Sequence, residues 1–324
     1  METPEPVRLL LFIVVVLLPL AVASLFTGVS SVSLSTLLNG DARAAMILVE
    51  SRVPRTVALI FAGSGMAVAG TIMQMLARNR FVEPSTAGTV ESAGLGILTV
   101  LLLAPGLPVF LKMLVAAAFA LAGTLLFLAI LRRIPLRSVL MVPLIGIMLG
   151  GVISAITTFF AYRYNMQQSL GAWMTGDFSA VLRGRYELLW FSFAMTVMAY
   201  IAADRFTVAG LGEDFSTNLG LNYTRVMALG LGIVSMVTAS VVVSAGMVPF
   251  LGLIVPNVVS MIMGDALRRT LPWIALSGAA LVLACDIVGR TVNAPYEIPV
   301  GTVLGVIGSG FFLYLLLRKQ SRAA

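Results

Sequence analysis

Histidine is absent from this chain of 324 residues, and cysteine occurs once, as Cys285. Without histidine there is no imidazole ligand for zinc or haem and no imidazole general base. A single cysteine cannot form a disulfide within the chain. Charge is also scarce: Asp, Glu, Lys and Arg make up 11% of residues, against about 25% in ordinary soluble domains. No Gly-x4-Gly-Lys-Ser/Thr phosphate loop occurs, so ATP binding by this chain is not expected. The formal charge of +7 is spread along the chain. Its longest basic cluster, Arg318-Lys319 with Arg322, is a tail, and nucleic acid is not an expected partner. The acidic residues build neither a carboxylate ladder through the apolar runs nor a dense site for a bare transition metal.

What fills the chain is apolar sequence, 59% hydrophobic with a mean hydropathy of +1.03. The runs are unbroken rather than alternating, which favours membrane-spanning helices over a barrel. Ten spans are read at about 8–27, 56–76, 88–104, 110–131, 139–161, 187–203, 225–245, 247–263, 271–290 and 299–317. The third carries Glu91. The eighth follows the seventh almost directly, broken only at Gly246-Met247-Val248-Pro249. The first run resembles a signal peptide at its start but continues to Phe26, longer than a signal core, so a retained helix is expected. With the N-terminus in the cytoplasm, 13 Arg and Lys residues fall inside and 8 outside, which favours both termini inside. The external eight are many, and a docking surface for an acidic partner would explain some of them.

Several short patterns stand out. Arg52 and Arg55 precede a membrane-length run, and an Arg-Asn-Arg turn with Glu83-Pro84 follows it. Asp286 and Arg290 are four apart on one helical face near the outer end of their span, where an i,i+4 pair is the plainest reading. Gly146/Gly150 and Gly301/Gly305 suit close helix packing. The longest internal loop, Asp204 to Tyr223, carries Leu211 to Leu221. There Glu213 and Asp214 suit a first helical turn, Gly220 suits its end, and Phe215 and Leu219 share a face. A second internal turn holds Asp265 and Arg268, after a span in which Pro256 should bend the helix.

In order and spacing these motifs resemble the FecCD-type permeases of ABC importers for iron–siderophores, haem and vitamin B12. The matches are R-x-P-R-T at Arg52 to Thr56, N-x-x-x-E-P at Asn79 to Pro84, and L-G-x6-L-G-L at Leu211 to Leu221. G-x-x-P-F-L-G-L-x-V-P runs from Gly246 to Pro256, and D-x-x-x-R followed by E-I-P-V-G runs from Asp286 to Gly301. The resemblance covers essentially the whole chain. It implies an all-α polytopic membrane protein of about ten transmembrane helices, like the vitamin B12 importer permease (a type II ABC importer). It also implies a single transmembrane permease domain over 1–324, with a cytoplasmic coupling loop at 204–225.

The implied partners are two ATPase subunits, a second permease that is a paralogue or a second copy, and a periplasmic or lipid-anchored binding protein. The implied cargo is a ferric siderophore, with haem or cobalamin as alternatives. ATP is expected on the partner subunits and no cofactor on this chain. The resemblance assigns Arg52, Arg55 and Arg290 to binding-protein docking. It assigns Leu211, Gly212, Glu213, Asp214, Phe215, Leu219 and Gly220 to ATPase coupling. Asn79, Glu83, Pro84, Asp265 and Arg268 are expected at a secondary cytoplasmic contact. Asn257 and Ser260 depart from the V-P-H pattern with its downstream arginine, which leaves the contacts at the end of span eight open. An ion-coupled carrier and an integral-membrane enzyme are the alternative classes.

Overall fold

A computed structural model describes residues 5–28, 33–134 and 141–320. Arg137 and Arg322, counted above among the internal cations, lie outside the described residues. Among the described residues, six helices are long and apolar enough to cross a membrane: α1 (Val7–Phe26), α2 (Ala42–Leu76), α4 (Val109–Leu131), α5 (Met141–Arg163), α10 (Tyr223–Ala245) and α12 (Leu267–Thr291). Shorter apolar helical stretches among the described residues are α3 (Thr89–Leu103), α11 (Leu251–Met263) and Val300–Tyr314, the apolar part of α13 (Val300–Gln320). A bent pair, α7 (Tyr186–Ile201) and α8 (Ala203–Gly210), turns through 67°. These fill the ten expected positions. Two short helices are α6 (Gln167–Met174) and α9 (Glu213–Asn218). The described residues contain no strand.

The second span starts earlier than the hydropathy suggested. Asp41 caps it by accepting from the backbone N–H groups of Arg43 at 2.9 Å and Ala44 at 3.3 Å. The helix then runs past Pro54 by way of one wide turn at Leu48–Arg52. Proline has no N–H, so the carbonyl of Glu50 loses its helical partner. The N–H of Arg183 takes that carbonyl at 3.1 Å. The expected long loop after span six is also helical: α8 and α9 occupy most of it.

α2 is the central post. α12, α10, α11 and α7 all pack on it, and nearly every residue from Ala58 to Met73 is buried. Glycines bring the backbones together. A Cβ at Gly63 would lie 2.7 Å from the carbonyl of Gly278 on α12, and one at Gly252 on α11 would lie 2.8 Å from Cα of Gly70. In a membrane, where lipid is as apolar as the protein, such close approach is a main source of helix association.

The Gly70 contact yields a direct test. Gly70→Val should lower the stability of the purified protein by roughly 1–3 kcal/mol, the usual cost of overpacking. Thermal unfolding in detergent measures it. Gly232→Ala on α10, where the added carbon meets open space, is the control and should not destabilise.

Candidate functional site

The polar residues gather at the two ends of α2. From Val53 to Leu76 this helix has 24 residues, a rise of about 36 Å, so the two gatherings are separated by the thickness of a bilayer core.

At the first end, Arg52 and Arg55 leave α2 one turn apart, and Arg290 comes from the last turn of α12. Asp286, one turn earlier on α12, is the common partner of Arg55 and Arg290. Its Oδ1 accepts from Arg55 Nη2 at 2.7 Å and Nε at 3.1 Å. Its Oδ2 pairs with Arg290 Nη2. Glu297, in the turn before α13, accepts from Arg55 Nη1 at 2.7 Å. Arg290 Nη1 donates to the carbonyls of Ser24 at 3.0 Å and Thr27 at 2.7 Å, at the end of α1. Arg52 Nη1 donates to the same Thr27 carbonyl. The three arginines expected as a set are therefore one cluster. Three cations share two carboxylates, a formal surplus of +1. Their exposures are 7%, 7% and 4% for Arg52, Arg55 and Arg290. Arg55 and Arg290 are held by carboxylates inside the chain and Arg52 by a backbone carbonyl, so a docking partner would have to exchange its carboxylates for Asp286 and Glu297 at the first two. Ser24, Thr27 and Glu297 were not singled out from sequence. Glu297 was visible within E-I-P-V-G, but nothing local pairs it with Arg55, 242 residues away.

At the opposite end, α9 stands as expected, with Glu213 and Asp214 in its first turn. Gly212 and Gly220 flank it in left-handed backbone conformations, φ +121° and +76°, which glycine adopts without a Cβ penalty. Ser216 faces inward and its hydroxyl donates to the carbonyl of Val208 at 3.0 Å, tying α9 to α8. Leu211, Phe215 and Leu219 face outward; Phe215 is 50% exposed and Leu219 61%. Beside them lie exposed ion pairs, Arg80 with Asp265 at 2.6 Å and Arg268 with Asp204. A cavity of about 350 Å³ opens here between α2, α8, α11 and α12, lined by Gln74, Arg78, Asn257 and Asp265 among others.

The secondary-contact residues divide. Asp265 and Arg268 are exposed beside α9. Asn79, Glu83 and Pro84 are buried and act within the chain. Asn79 Oδ1 accepts from the Phe81 N–H at 2.8 Å. Glu83 Oε1 accepts from the Phe250 N–H at 2.6 Å, and the amides of Gly252 and Leu253 surround the carboxylate. Those amides are the open N-terminus of α11, so a carboxylate from another segment caps it. Asn257, where the V-P-H pattern is broken, donates through Nδ2 to the Arg80 carbonyl at 2.9 Å. Pro256 leaves the Gly252 carbonyl without its helical donor, and Gln74 Nε2 supplies one at 3.1 Å. The N-x-x-x-E-P and P-F-L-G-L motifs are thus two halves of one joint. Gln74 was missed from sequence; its signal was a lone amide within an apolar run.

A family model for the FecCD transport family matches residues 11–318. The chain belongs to that family. The petrobactin import system permease YclN of Bacillus subtilis is 49% identical over 96% of this chain and 99% of its own length. The ferric-anguibactin transport system permease FatD of Vibrio anguillarum is 42% identical over 92% of this chain and 95% of its own. A solved metal-chelate type ABC transporter in an inward-facing conformation superposes with a TM-score of 0.79 at 23% identity, covering 97% of this chain and 99% of that one. The chain is a multi-pass transport permease rather than an enzyme.

Two outcomes are expected from these geometries. Asp286→Ala strands two buried arginines and should cost roughly 3–5 kcal/mol, the penalty for breaking a buried pair from one side. Arg183→Ala, which opens the exposed pair with Glu50, should cost under about 1 kcal/mol. Thermal unfolding of the two variants side by side checks the contrast.

Glu83 lies in the turn between spans, and burial pushes its carboxyl from 4.5 up to about 7, against hydrogen bonds from Ser85 and the α11 amides. The folded chain therefore holds a proton that the unfolded chain has released. Stability should fall as pH rises from about 4.5 to about 7 and then level off. Glu83→Gln should flatten that slope when thermal midpoints are compared from pH 5 to 8.

Proposed function

We propose that this chain is the membrane-spanning subunit of an ATP-driven importer that carries a ferric siderophore across the bacterial cytoplasmic membrane. The observation that carries the reading is end-to-end identity of 49% and 42% with permeases named for petrobactin and ferric anguibactin. The chain binds no cofactor of its own. ATP is hydrolysed on two separate ATPase subunits, a second permease (a paralogue or another copy) completes the path, and a binding protein delivers cargo. Both termini are cytoplasmic, which puts the Asp286 cluster outside and α9 inside.

In this reading α9 inserts Phe215 and Leu219 into the ATPase, and the residues from Leu211 to Gly220 carry nucleotide-driven motion into α8 and α10. The apolar exposure of this pair at a charged end supports it. Arg52, Arg55 and Arg290 receive carboxylates of the binding protein, drawing on the surplus of positive charge. Long-range attraction of this kind weakens as salt rises.

Reconstitution of the full complex in proteoliposomes tests the reading. ATP-dependent uptake of ⁵⁵Fe-petrobactin is expected, and none without the ATPase. Phe215→Ala with Leu219→Ala should weaken ATPase association at least tenfold, about 1.4 kcal/mol, measured by titrating labelled ATPase onto the permease. Unchanged association would reject α9 as the contact.

A further inference from the structure

Glu91 stands apart from both polar clusters. It lies in the first turn of α3, inside a span, where an ionised carboxylate is costly and ordinarily functional. It projects toward α5 at Gly150. A Cβ there would come 3.2 Å from its carboxyl carbon, so the glycine makes room for it. Its Oε2 is buried without a hydrogen-bond partner. Carboxylate and glycine open into a groove of about 570 Å³ between α3, α5 and α6, lined also by Ser154, Thr158, Gln167 and Met247. From Ile147 to Thr158 the groove follows α5 for about 16 Å. Among the described residues that line it there is no arginine or lysine.

Two features mark this groove as more than a lipid-facing furrow. Hydroxyls and an amide along it would be poorly served by acyl chains. It also reaches Met247, in the non-helical break between α10 and α11. Open backbone at membrane depth is tolerated where it is buried or lines a polar cavity.

We propose that Glu91 is a charge-selecting residue of the cargo path, favouring a protonated amine or N–H donor on the passing chelate and disfavouring anionic cargo. This rests on the importer reading for its cargo but not for its electrostatics. When ionised, Glu91 sets a negative local potential along the groove, with no arginine or lysine among the described residues that line it. Path sites should hold cargo weakly enough to release it, and one carboxylate among hydroxyls meets that need better than a multidentate cage.

The test separates the charge from the cargo. In the complete complex in nanodiscs, carrying Cys285→Ser, a thiol is introduced as Ser154→Cys. Its rates of modification by a trimethylammonium and by a sulfonate methanethiosulfonate are then compared. The cationic-to-anionic rate ratio should fall roughly threefold or more when Glu91→Gln is added, the effect of removing one charge at short range in a partly polar setting. An unchanged ratio would overturn the proposal whatever the cargo. In a second arm, ⁵⁵Fe-petrobactin uptake should show a raised KM in Glu91→Gln and a larger loss in Glu91→Lys. Uptake equal in wild type and both variants also overturns the proposal. No uptake by wild type rejects the cargo assignment instead, and the modification ratio alone then decides the role of Glu91. Size-exclusion elution of each variant complex checks assembly.

Discussion

A backbone polar group released where a helix breaks needs a new partner, and wherever water is excluded that partner must come from within the protein. Three places in this molecule obey that constraint in the same way. Pro54 frees the Glu50 carbonyl, and the Arg183 N–H takes it. Pro256 frees the Gly252 carbonyl, and Gln74 takes it. The open amides at the start of α11 are met by Glu83. In each case the partner comes from a segment distant in sequence. The breaks therefore hold helices to one another, where an unbroken helix would need no such partner.

The joint formed by Gln74, Glu83, Phe250 and Asn257 locks α11 to the end of α2. Asp286 does the same at the other end, where it gathers α1, α2 and α12 through the arginines. Between the two, glycine contacts such as Gly63 with Gly278 bring the backbones close enough to pack without side chains. α2 is thereby a stiff strut between a basic cluster and the exposed α9 surface. Such a strut is a physical route for coupling, although coupling itself requires an element with two arrangements that both ends bias.

The burial of Arg52, Arg55 and Arg290 changes how docking at that end has to be pictured. Exposed arginines would attract a partner at little internal cost. Arg55 and Arg290 are paired already, and any carboxylate that reaches them competes with Asp286 and Glu297 for the same donors. Breaking a buried pair is expensive unless a new partner arrives as the old one leaves. Selectivity for a partner with correctly spaced acidic groups follows from that exchange.

Much was legible in one dimension. Hydropathy placed ten apolar elements, because a bilayer demands about twenty apolar residues per crossing and that demand is local. The helix at Glu213–Asn218 was readable for the same reason: acidic first turn, glycine end and i,i+4 apolar pair are all near-neighbour effects. Family motifs identified the class of protein. The sequence could not say what the motif residues touch. Glu83 and Asn79 read as surface contacts because polar residues in a turn usually are, yet both are buried joints. Gln74 and Glu297 drew no notice because their partners lie far along the chain. Pairing of that kind is decided by which helices pack together, and only the tertiary structure brings Arg55 to Glu297 or Gln74 to the Gly252 carbonyl.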